Sequence, residues 1–247
     1  MNNHKICIVV PIYNHGDQLF KTIKNLTAFD LPIIIVDDGS KAQTKENISI
    51  VVNTFDKIIE HKTLSHNMGK GYAVTVGVNI ASDLGYTHIF QIDADGQHDF
   101  NDIPKFITDM NSHTQALISG MPIYDNSIPK SRLHGRKITN FWVSVEILSM
   151  KLTESMCGFR IYPVKEYLEI NSIKNFANRM DFDIDVIVRM HWYGVDVRYI
   201  NTKVIYPHDG YSNFKMVQDN IRITRTHTTL VIGMLLRLPL LVWRKIK

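Results

Sequence analysis

Short apolar runs alternate with amphipathic stretches along the first half of the chain. Five of these runs predict strands, at residues 6–10, 32–36, 57–60, 88–92 and 116–119. Helical periodicity falls between them, at residues 17–26, 71–84 and 103–111. Strands that are apolar on both faces and separated by helices predict a mostly parallel sheet with helices on both faces. We therefore assign the chain to the α/β class.

The second half of the chain is less regular. Its patterns predict a helix near residues 131–151, a short strand at 158–162, a helix near 183–192, and two strands at 195–200 and 203–206. The sequence contains no internal repeat and no low-complexity linker, so residues 1–220 are expected to form one domain. Residues 221–247 are expected to form an amphipathic, basic and apolar helical tail.

The tail favours a membrane surface over a membrane crossing. Residues 230–243 are strongly apolar but number only 14, whereas a spanning helix needs about 20. Arg237 and Pro239 interrupt them, and an arginine at the bilayer centre costs at least about 2.5 kcal/mol. No acidic residue follows Asp219, whereas six arginines and lysines do. We expect a helix lying in the membrane interface. Packing on the protein's own core, or against a second copy in a homo-oligomer, stays open.

The cysteines and the net charge narrow the possible cellular location and partners. Cys7 and Cys157 are the only cysteines, and each lies in an apolar stretch, so neither a disulfide framework nor a zinc site is predicted. The first apolar run, residues 6–10, is far shorter than a signal-peptide core. The net charge of +4 is modest, and we expect no nucleic-acid partner. These features predict a cytoplasmic protein, peripheral on the cytoplasmic face of a membrane.

Polar clusters directly follow three of the predicted strands. The carboxyl ends of parallel strands meet at one edge of a sheet, where ligands of open α/β folds bind. The clusters are therefore expected to share one crevice. They are Tyr13-Asn14-His15, Asp37-Asp38-Gly39-Ser40 and Asp93-Ala94-Asp95.

The pair Asp93 and Asp95 is the strongest candidate for chemistry. An i, i+2 pair leaving an extended strand projects both side chains to one side. Two such carboxylates suit Mg²⁺ or Mn²⁺, whose remaining ligands are water and substrate phosphates in nucleotide enzymes. Gln97 adds a further oxygen. An ordinary solvated turn would explain an isolated Asp-x-Asp equally well.

Two other clusters suit a nucleotide. One carboxylate of the pair Asp37 and Asp38 is placed to accept hydrogen bonds from a nucleobase or ribose, although a turn that ends the strand is the alternative. Residues 67–71, Asn-Met-Gly-Lys-Gly, precede a helix and place Lys70 at its N-terminus, a favourable position for anionic groups. A plain loop-to-helix junction is equally compatible. The spacing is not that of a P-loop.

In order along the chain, these motifs resemble family 2 glycosyltransferases, with the polyprenol-phosphate mannose synthases as the nearest branch. The resemblance is dense over about the first 100 residues and thinner to about Gly210. It implies a GT-A (Rossmann-like) fold, an inverting transfer and a nucleotide diphosphate sugar as donor. It also implies sites around the nucleoside at Pro11, Tyr13, Val36 and Asp38, and around the metal and diphosphate at Lys70, Asp93, Ala94, Asp95 and Gln97.

The chain departs from that branch where positive charge is expected. His15 stands in place of an acid, Met121-Pro122 in place of an arginine, and Gly210-Tyr211-Ser212-Asn213 in place of a Gly-x-Ser-Lys element, with Lys215 as the nearest cation. Arginine forks match phosphate oxygens. Arg136 and Arg160, together with Arg132, are therefore candidates for neutralising the diphosphate, although Arg132 is equally compatible with an ordinary surface position.

Asp183 and Asp185 are the candidate bases for the acceptor. A hydroxyl acceptor needs a base, whereas an ionised phosphate does not. The two residues lie on different sides of a helix or strand, so one of them at most is expected to face the sugar. Similarity to the family favours Asp185, and a charge that stabilises a helix N-terminus is the alternative. Missing cations and available carboxylates together favour a hydroxyl acceptor.

These inferences predict an enzyme that moves a sugar from UDP or GDP to a lipid-linked or other membrane-presented acceptor. A polyprenyl-phosphate glycosyl synthase is one alternative, and a catalytically dead nucleotide-sugar-binding module is another. The intact Asp-x-Asp pair argues against the dead module. A sugar nucleotidyltransferase would carry a glycine-rich basic loop after its first strand, which Pro11-Ile12-Tyr13-Asn14 is not.

Overall fold

The computed structural model describes residues 4–124, 128, 130–204 and 214–246. Its strands are β1 Ile6–Ile12, β2 Ile33–Asp37, β3 Ile58–Thr63, β4 His88–Gln91, β5 Leu117–Tyr124, β6 Arg160–Pro163 and β7 Val197–Val204. Its helices are α1 Gly16–Leu26, α2 Ala42–Thr54, α3 Lys70–Asp83, α4 Ile103–Ser112, α5 Lys130–Glu146, α6 Val164–Ile173, α7 Phe182–Trp192 and α8 Met216–Ile246.

The seven strands form one mixed sheet in the order β3-β2-β1-β4-β6-β5-β7. β6 runs antiparallel to both of its neighbours, and every other pairing is parallel. This is the GT-A form of the α/β class, and it confirms the predicted fold. Strands β2 and β3 extend the sheet on one side of β1, and β4 and the later strands extend it on the other side. The gap between the loops after β1 and β4 is therefore the position where α/β proteins place their ligands.

Helices cover both faces of the sheet because the central strands are apolar on both faces. Alternate residues of β1 point to opposite sides, so that Val9 packs with α3 and α7 while Val10 packs with α1 and α4. The first layer also holds Leu230 of α8, which shows that α8 contributes to the core.

Several predicted elements need correction. Helices α2 and α6 lie in segments where no helix was predicted, since α2 is only weakly amphipathic and α6 follows β6 without a loop. β7 continues through residues 201 and 202, where a break between two strands was predicted, because it pairs with β5 along its whole length. Residues 205 and 206 of the second predicted strand lie outside the described residues.

The C-terminal helix is longer than expected. It begins at Met216, before the predicted boundary at 221, and runs through both Arg237 and Pro239 without ending. The prediction that the apolar helix is too short to cross a membrane, which was based on 14 apolar residues, was therefore wrong. Among the described residues, one stretch, Met216–Trp243, has the length and composition to cross a membrane, and 22% of its most apolar window is buried inside the protein.

Candidate active site

The carboxyl ends of β1, β2 and β4 open into one cavity of about 2070 Å³. Tyr13, Asp38 and Asp95 line one end of it, whereas α5 and α8 line the other end with residues such as Arg136 and Ile223. Pockets for single small ligands usually measure about 300–1,000 Å³. The cavity is thus large enough for two substrates side by side, and the loops expected to converge do so here.

Lys70 lines the cavity and pairs with two carboxylates. Its ammonium group contacts Oδ2 of Asp93 at 2.9 Å and Oδ2 of Asp183 at 2.9 Å. Although burial lowers it, the two carboxylates raise the pKa of Lys70 overall, so the side chain stays charged. A Cβ added at Gly158 would collide with Oδ2 of Asp93 and lie 2.5 Å from Nζ of Lys70. The absence of a side chain at Gly158 therefore makes room for this ion pair.

Asp93 and Asp95 fit a divalent cation. Burial, and then the charge of Asp93, raises the pKa of Asp95 to about 6, which indicates like charges that a cation would neutralise. The N–H of Gln97 donates to Oδ1 of Asp95 at 3.1 Å, and Gln97 lines the cavity. In the described part of the chain, no group of three or more His, Cys, Asp or Glu side chains is arranged to hold a metal. Most ligands of a cation would thus come from water and the diphosphate.

Asp38 organises the loop beside it. Its carboxylate accepts hydrogen bonds from the N–H of Met68 at 2.6 Å, the N–H of Gly69 at 2.8 Å and Nδ2 of Asn67 at 2.8 Å. Burial raises the pKa of Asp38, and the two backbone donors oppose that rise. Asp38 also lines the cavity. It shapes the edge of the cavity where a nucleoside was expected.

Asp37 makes the turn that ends β2. Its Oδ1 accepts from the N–H of Ser40 at 2.9 Å, and the Ser40 hydroxyl accepts from the N–H of Asn14 at 3.0 Å. Asn14 has a positive φ of 56° and accepts from the N–H of Lys41 at 2.9 Å. These bonds join the loops after β1 and β2. The turn interpretation therefore holds for Asp37, and Asp38 is the carboxylate at the cavity.

The N-terminus of α3 is covered by protein. A Cβ at Gly69 would lie 2.6 Å from Cγ of Arg179, and one at Gly71 would lie 2.6 Å from Cβ of Phe182. The N–H of Tyr72 donates to the carbonyl of Asn178 at 3.1 Å. Residues 177–182 therefore pack closely against both glycines, although Gly69 also lines the cavity. Lys70 still lines the cavity through its side chain.

The structure separates the two candidate bases. Asp183 lines the cavity, whereas Asp185 does not. Oδ2 of Asp185 accepts from the N–H of Ala177 at 2.9 Å and from Arg189 at 3.3 Å, and burial raises its pKa despite these donors. Asp185 therefore anchors the segment before α7, and the preference for Asp185 over Asp183 needs correction.

Arg160 also differs from expectation. It is fully buried, and it donates to the hydroxyl of Ser119 at 3.1 Å and to the backbone carbonyl of Asp183 at 2.7 Å. It does not line the cavity, since β6 turns it inward. Arg160 thus holds the first turn of α7 in place and is not positioned to reach a diphosphate.

The other expected cations do reach the cavity. Arg136 and Arg132 line it, and Arg136 pairs with Glu154 and lies over the Tyr124 ring at 5.4 Å. Pro122 and Lys215 also line it. The element Gly210-Tyr211-Ser212-Asn213 lies outside the described residues.

Most expected nucleoside and phosphate contacts fall on the cavity wall. Pro11, Tyr13 and Ala94 line it, whereas Val36 is fully buried within β2 and does not. His15 lines it too, and burial lowers its pKa while Asp93 opposes that change. His15 is therefore an uncharged neighbour of the carboxylates near neutral pH.

Sequence reasoning missed Arg179, the role of Gly158 and the stack of His98 on Phe159. Arg179 lines the cavity and donates to Oδ1 of Asn67 at 2.6 Å. His98 stacks on Phe159 with ring centres 4.9 Å apart, and burial lowers its pKa to about 4. The glycine in the segment Cys157-Gly158-Phe159-Arg160 is a sequence signal for a close approach of the backbone to another group. No sequence feature near Arg179 indicates its contact with Asn67.

Comparison with known proteins finds relatives that are named as sugar transferases. The chain is 26% identical to a UDP-N-acetylglucosamine–dolichyl-phosphate N-acetylglucosaminyltransferase of Methanococcus voltae over 222 residues, covering 83% of this chain and 88% of that one. It is 33% identical over 110 residues to an undecaprenyl-phosphate 4-deoxy-4-formamido-L-arabinose transferase of Yersinia pestis, covering 42% of this chain and 32% of that one.

The fold has solved counterparts. Glucosyl-3-phosphoglycerate synthase from Mycobacterium tuberculosis, in complex with Mn²⁺ and UDP-glucose, superposes with a TM-score of 0.69 at 12% identity, covering 94% of this chain and 79% of that one. The family model described as Glycosyl transferase family 2 matches residues 7–170. The chain therefore belongs to glycosyltransferase family 2 and is a glycosyltransferase with the GT-A fold.

Proposed function

We propose that this enzyme transfers a sugar from a nucleoside diphosphate to a lipid phosphate presented at a membrane surface, on its cytoplasmic face. The observation that carries the proposal is the shape of the cavity. One continuous space joins the carboxylates Asp93 and Asp95 to a groove between α5 and α8 that is lined by Ile138, Trp142, Ile223, Val231 and Ile232. Donor chemistry and an apolar acceptor groove thus lie side by side.

The donor would occupy the end formed by the strand loops. Pro11, Tyr13 and Asp38 surround the nucleoside in this proposal, and Arg132 faces the diphosphate together with Lys70. Mn²⁺ or Mg²⁺ on Asp93 and Asp95, with Gln97 close by, would supply positive charge to the departing diphosphate. The crystallised relative that contains Mn²⁺ and UDP-glucose supports this metal and this kind of donor. A screen of nucleoside diphosphates distinguishes UDP from GDP.

The acceptor assignment revises the hydroxyl expected from sequence. Asp185 is engaged by Arg189 and Ala177, and Oδ2 of Asp183 is held by Lys70. A phosphate acceptor needs no base, and Arg136, Lys215 and Arg222 line the cavity where its charge would lie. Relatives named for dolichyl-phosphate and undecaprenyl-phosphate transfer support the same class.

A hydroxyl acceptor remains the second candidate because of one atom. Asp183 lines the cavity, and its Oδ1 makes no hydrogen bond in the described part of the chain, although it lies 3.9 Å from the guanidinium of Arg160. In this second candidate function, the Asp183 carboxylate would accept the proton of an acceptor hydroxyl bound beside it.

The test is a donor and acceptor screen. Nucleoside diphosphates are ranked by thermal stabilisation with Mn²⁺, and the corresponding sugar donors are then assayed with a short polyprenyl phosphate and with the matching polyprenol. We expect transfer to the phosphate alone. Asp95→Asn should abolish Mn²⁺-dependent nucleotide binding in a folded protein, whereas exposed Asp56→Asn should not. Transfer to the polyprenol but not to the phosphate would favour the second candidate, and Mn²⁺-dependent binding by Asp95→Asn would refute the metal site.

A further inference from the structure

The C-terminal helix is attached to the domain along most of its length. Asp219, His227, Leu230, Met234 and Leu241 form its buried stripe. From Asp219 to Leu241 this stripe extends for about 33 Å at 1.5 Å per residue. A bilayer core is about 30 Å thick. The attached part of the helix is thus as long as a membrane crossing.

Polar contacts accompany the attachment at several points. Nδ1 of His227 lies 2.6 Å from Oε1 of Glu146 on α5, and the Thr226 hydroxyl donates to Asp181 at 2.7 Å. The Arg237 guanidinium lies over the Trp192 ring at 4.9 Å. If α8 crossed a bilayer while attached, Glu146 and Asp181 would enter the hydrocarbon with it, which is strongly unfavourable. The helix therefore does not cross a membrane while these contacts are in place.

The opposite side of α8 is apolar and open. Leu236 is 79% exposed, Leu235 57% and Ile232 54%. Trp243 is exposed at the end of the same helix. A single exposed leucine is ordinary, but a run of large apolar side chains along one helix is typical of an interaction surface.

Helix α5 continues this surface. Ile138 and Phe141 are each 62% exposed, and Trp142 next to them is 41% exposed. α5 packs against α8, and Ile138 and Trp142 line the same cavity as Val231 and Ile232. The apolar surface therefore includes both helices that border the acceptor end of the cavity.

The charge around this surface has one sign. α5 exposes Lys130 and Lys137, and it carries no acidic residue before the buried Glu146. Arg225 adds an exposed cation on α8. Apolar side chains bordered by exposed cations suit anionic lipid headgroups, whereas a protein partner would more commonly present a mixed polar rim.

We infer that α5 and α8 form a single membrane-docking surface for anionic lipid bilayers, on which α8 lies in the plane of the headgroups. Phe141 and Trp142 of α5 enter the interface together with Ile232, Leu235 and Leu236 of α8. The inference rests on the proposed membrane-presented acceptor and adds α5 to the tail as a binding element. It also places the mouth of the acceptor groove at the lipid surface.

Vesicle binding by the full chain tests the surface. Vesicles of phosphatidylcholine with and without phosphatidylglycerol are floated with wild type, Phe141→Ser, Leu236→Ser and the control Ile173→Ser, which changes a 61% exposed side chain at the end of α6. Phe141→Ser and Leu236→Ser should each lower partitioning roughly tenfold. Ile173→Ser should not, and binding should require the anionic lipid. Equal binding by Phe141→Ser and wild type would overturn the role of α5.

Tryptophan quenching separates a lying helix from a spanning one. The chain has three tryptophans, of which Trp192 is buried. In a protein with Trp192→Phe and Trp243→Phe, brominated lipids should quench Trp142, and in a second protein with Trp142→Phe and Trp192→Phe they should quench Trp243. Quenching of Trp243 in the second protein without quenching of Trp142 in the first would indicate a spanning α8 and overturn the inference. A stable dimer in light scattering that shields Trp142 from soluble quenchers would also overturn it, since the surface would then be a contact between copies.

The test of the docking surface can fail or succeed independently of the test of the proposed function. Phe141→Ser should transfer sugar to a water-soluble short-chain acceptor at the wild-type rate, because Phe141 does not line the cavity. If wild type binds vesicles as described but transfers nothing to lipid phosphate, the acceptor proposal fails and the docking surface stands.

Discussion

The ammonium group of Lys70 joins Asp93, which follows β4, to Asp183, in the first turn of α7, with 2.9 Å to each carboxylate. It lies opposite Gly158, whose lack of a side chain leaves room for the pair. Lys70 therefore positions Asp93, a proposed metal ligand, together with Asp183, a candidate base. Its charge also competes with a cation for Asp93.

Lys70→Met should strengthen binding of Mn²⁺ in the absence of nucleotide. Loss of the ammonium group leaves Asp93 without its neutralising partner, and even a modest charge interaction corresponds to an increase of roughly tenfold in affinity. Transfer should fall, because Asp93 and Asp183 lose their common anchor. Calorimetric titration with Mn²⁺ measures the first effect. Exposed Lys45→Met is the control, and weaker or unchanged Mn²⁺ binding by Lys70→Met would contradict the competition.

Gly158→Ala should disrupt the same pair from the other side. The new methyl group would displace Lys70 and Asp93, and a shift of about 1 Å at a reacting centre costs roughly 10²-fold in rate. Gly135→Ala on α5 is the matched control, because a Cβ there meets nothing within 4 Å. Steady-state transfer and thermal unfolding should be measured for both. Equal activity of the two variants would show that the close approach is unimportant.

Asp183→Asn and Asp185→Asn should have different effects. Asp185→Asn removes the charge that faces the buried Arg189 and should lower the free energy of unfolding by about 3 kcal/mol. Asp183→Asn should remain folded and retain transfer to lipid phosphate within about tenfold. A loss of about 10² to 10⁴ in its rate with little change in donor binding would identify Asp183 as a general base and favour a hydroxyl acceptor.

Stability should fall as pH is lowered through the range in which histidine titrates. Burial lowers the pKa of His88, while its hydrogen bond to the Thr114 carbonyl opposes that change. A folded-state pKa below the unfolded value means that the unfolded chain binds the proton more readily, so the stabilisation present above about pH 6.5 is lost below it. Denaturant unfolding of wild type and His88→Gln between about pH 7 and pH 5 measures this effect. The slope should be shallower in His88→Gln, and identical slopes would assign it to other groups.

The sequence alone determined the order of the strands in the first half and the position of the strand-end motifs, although it missed helix α2. Those features depend on local periodicity and on short segments, which is why the sequence suffices to bring Asp38, Asp93 and Asp95 to one crevice. Residue spacing also predicted that Asp183 and Asp185 face different ways. It could not say which of them faces the cavity.

Only the tertiary structure decided that question, because the deciding contacts join distant segments. Lys70 and Asp183 are 113 residues apart in the chain, and Asp185 is occupied by Arg189 and by the loop at Ala177. Arg160 has the right chemistry for a diphosphate, but the antiparallel β6 buries it against Ser119. Likewise, hydropathy alone allows the apolar tail to span a membrane or to lie on its surface, because hydropathy depends on composition only. The structure adds which face of the helix packs on α5 and α7.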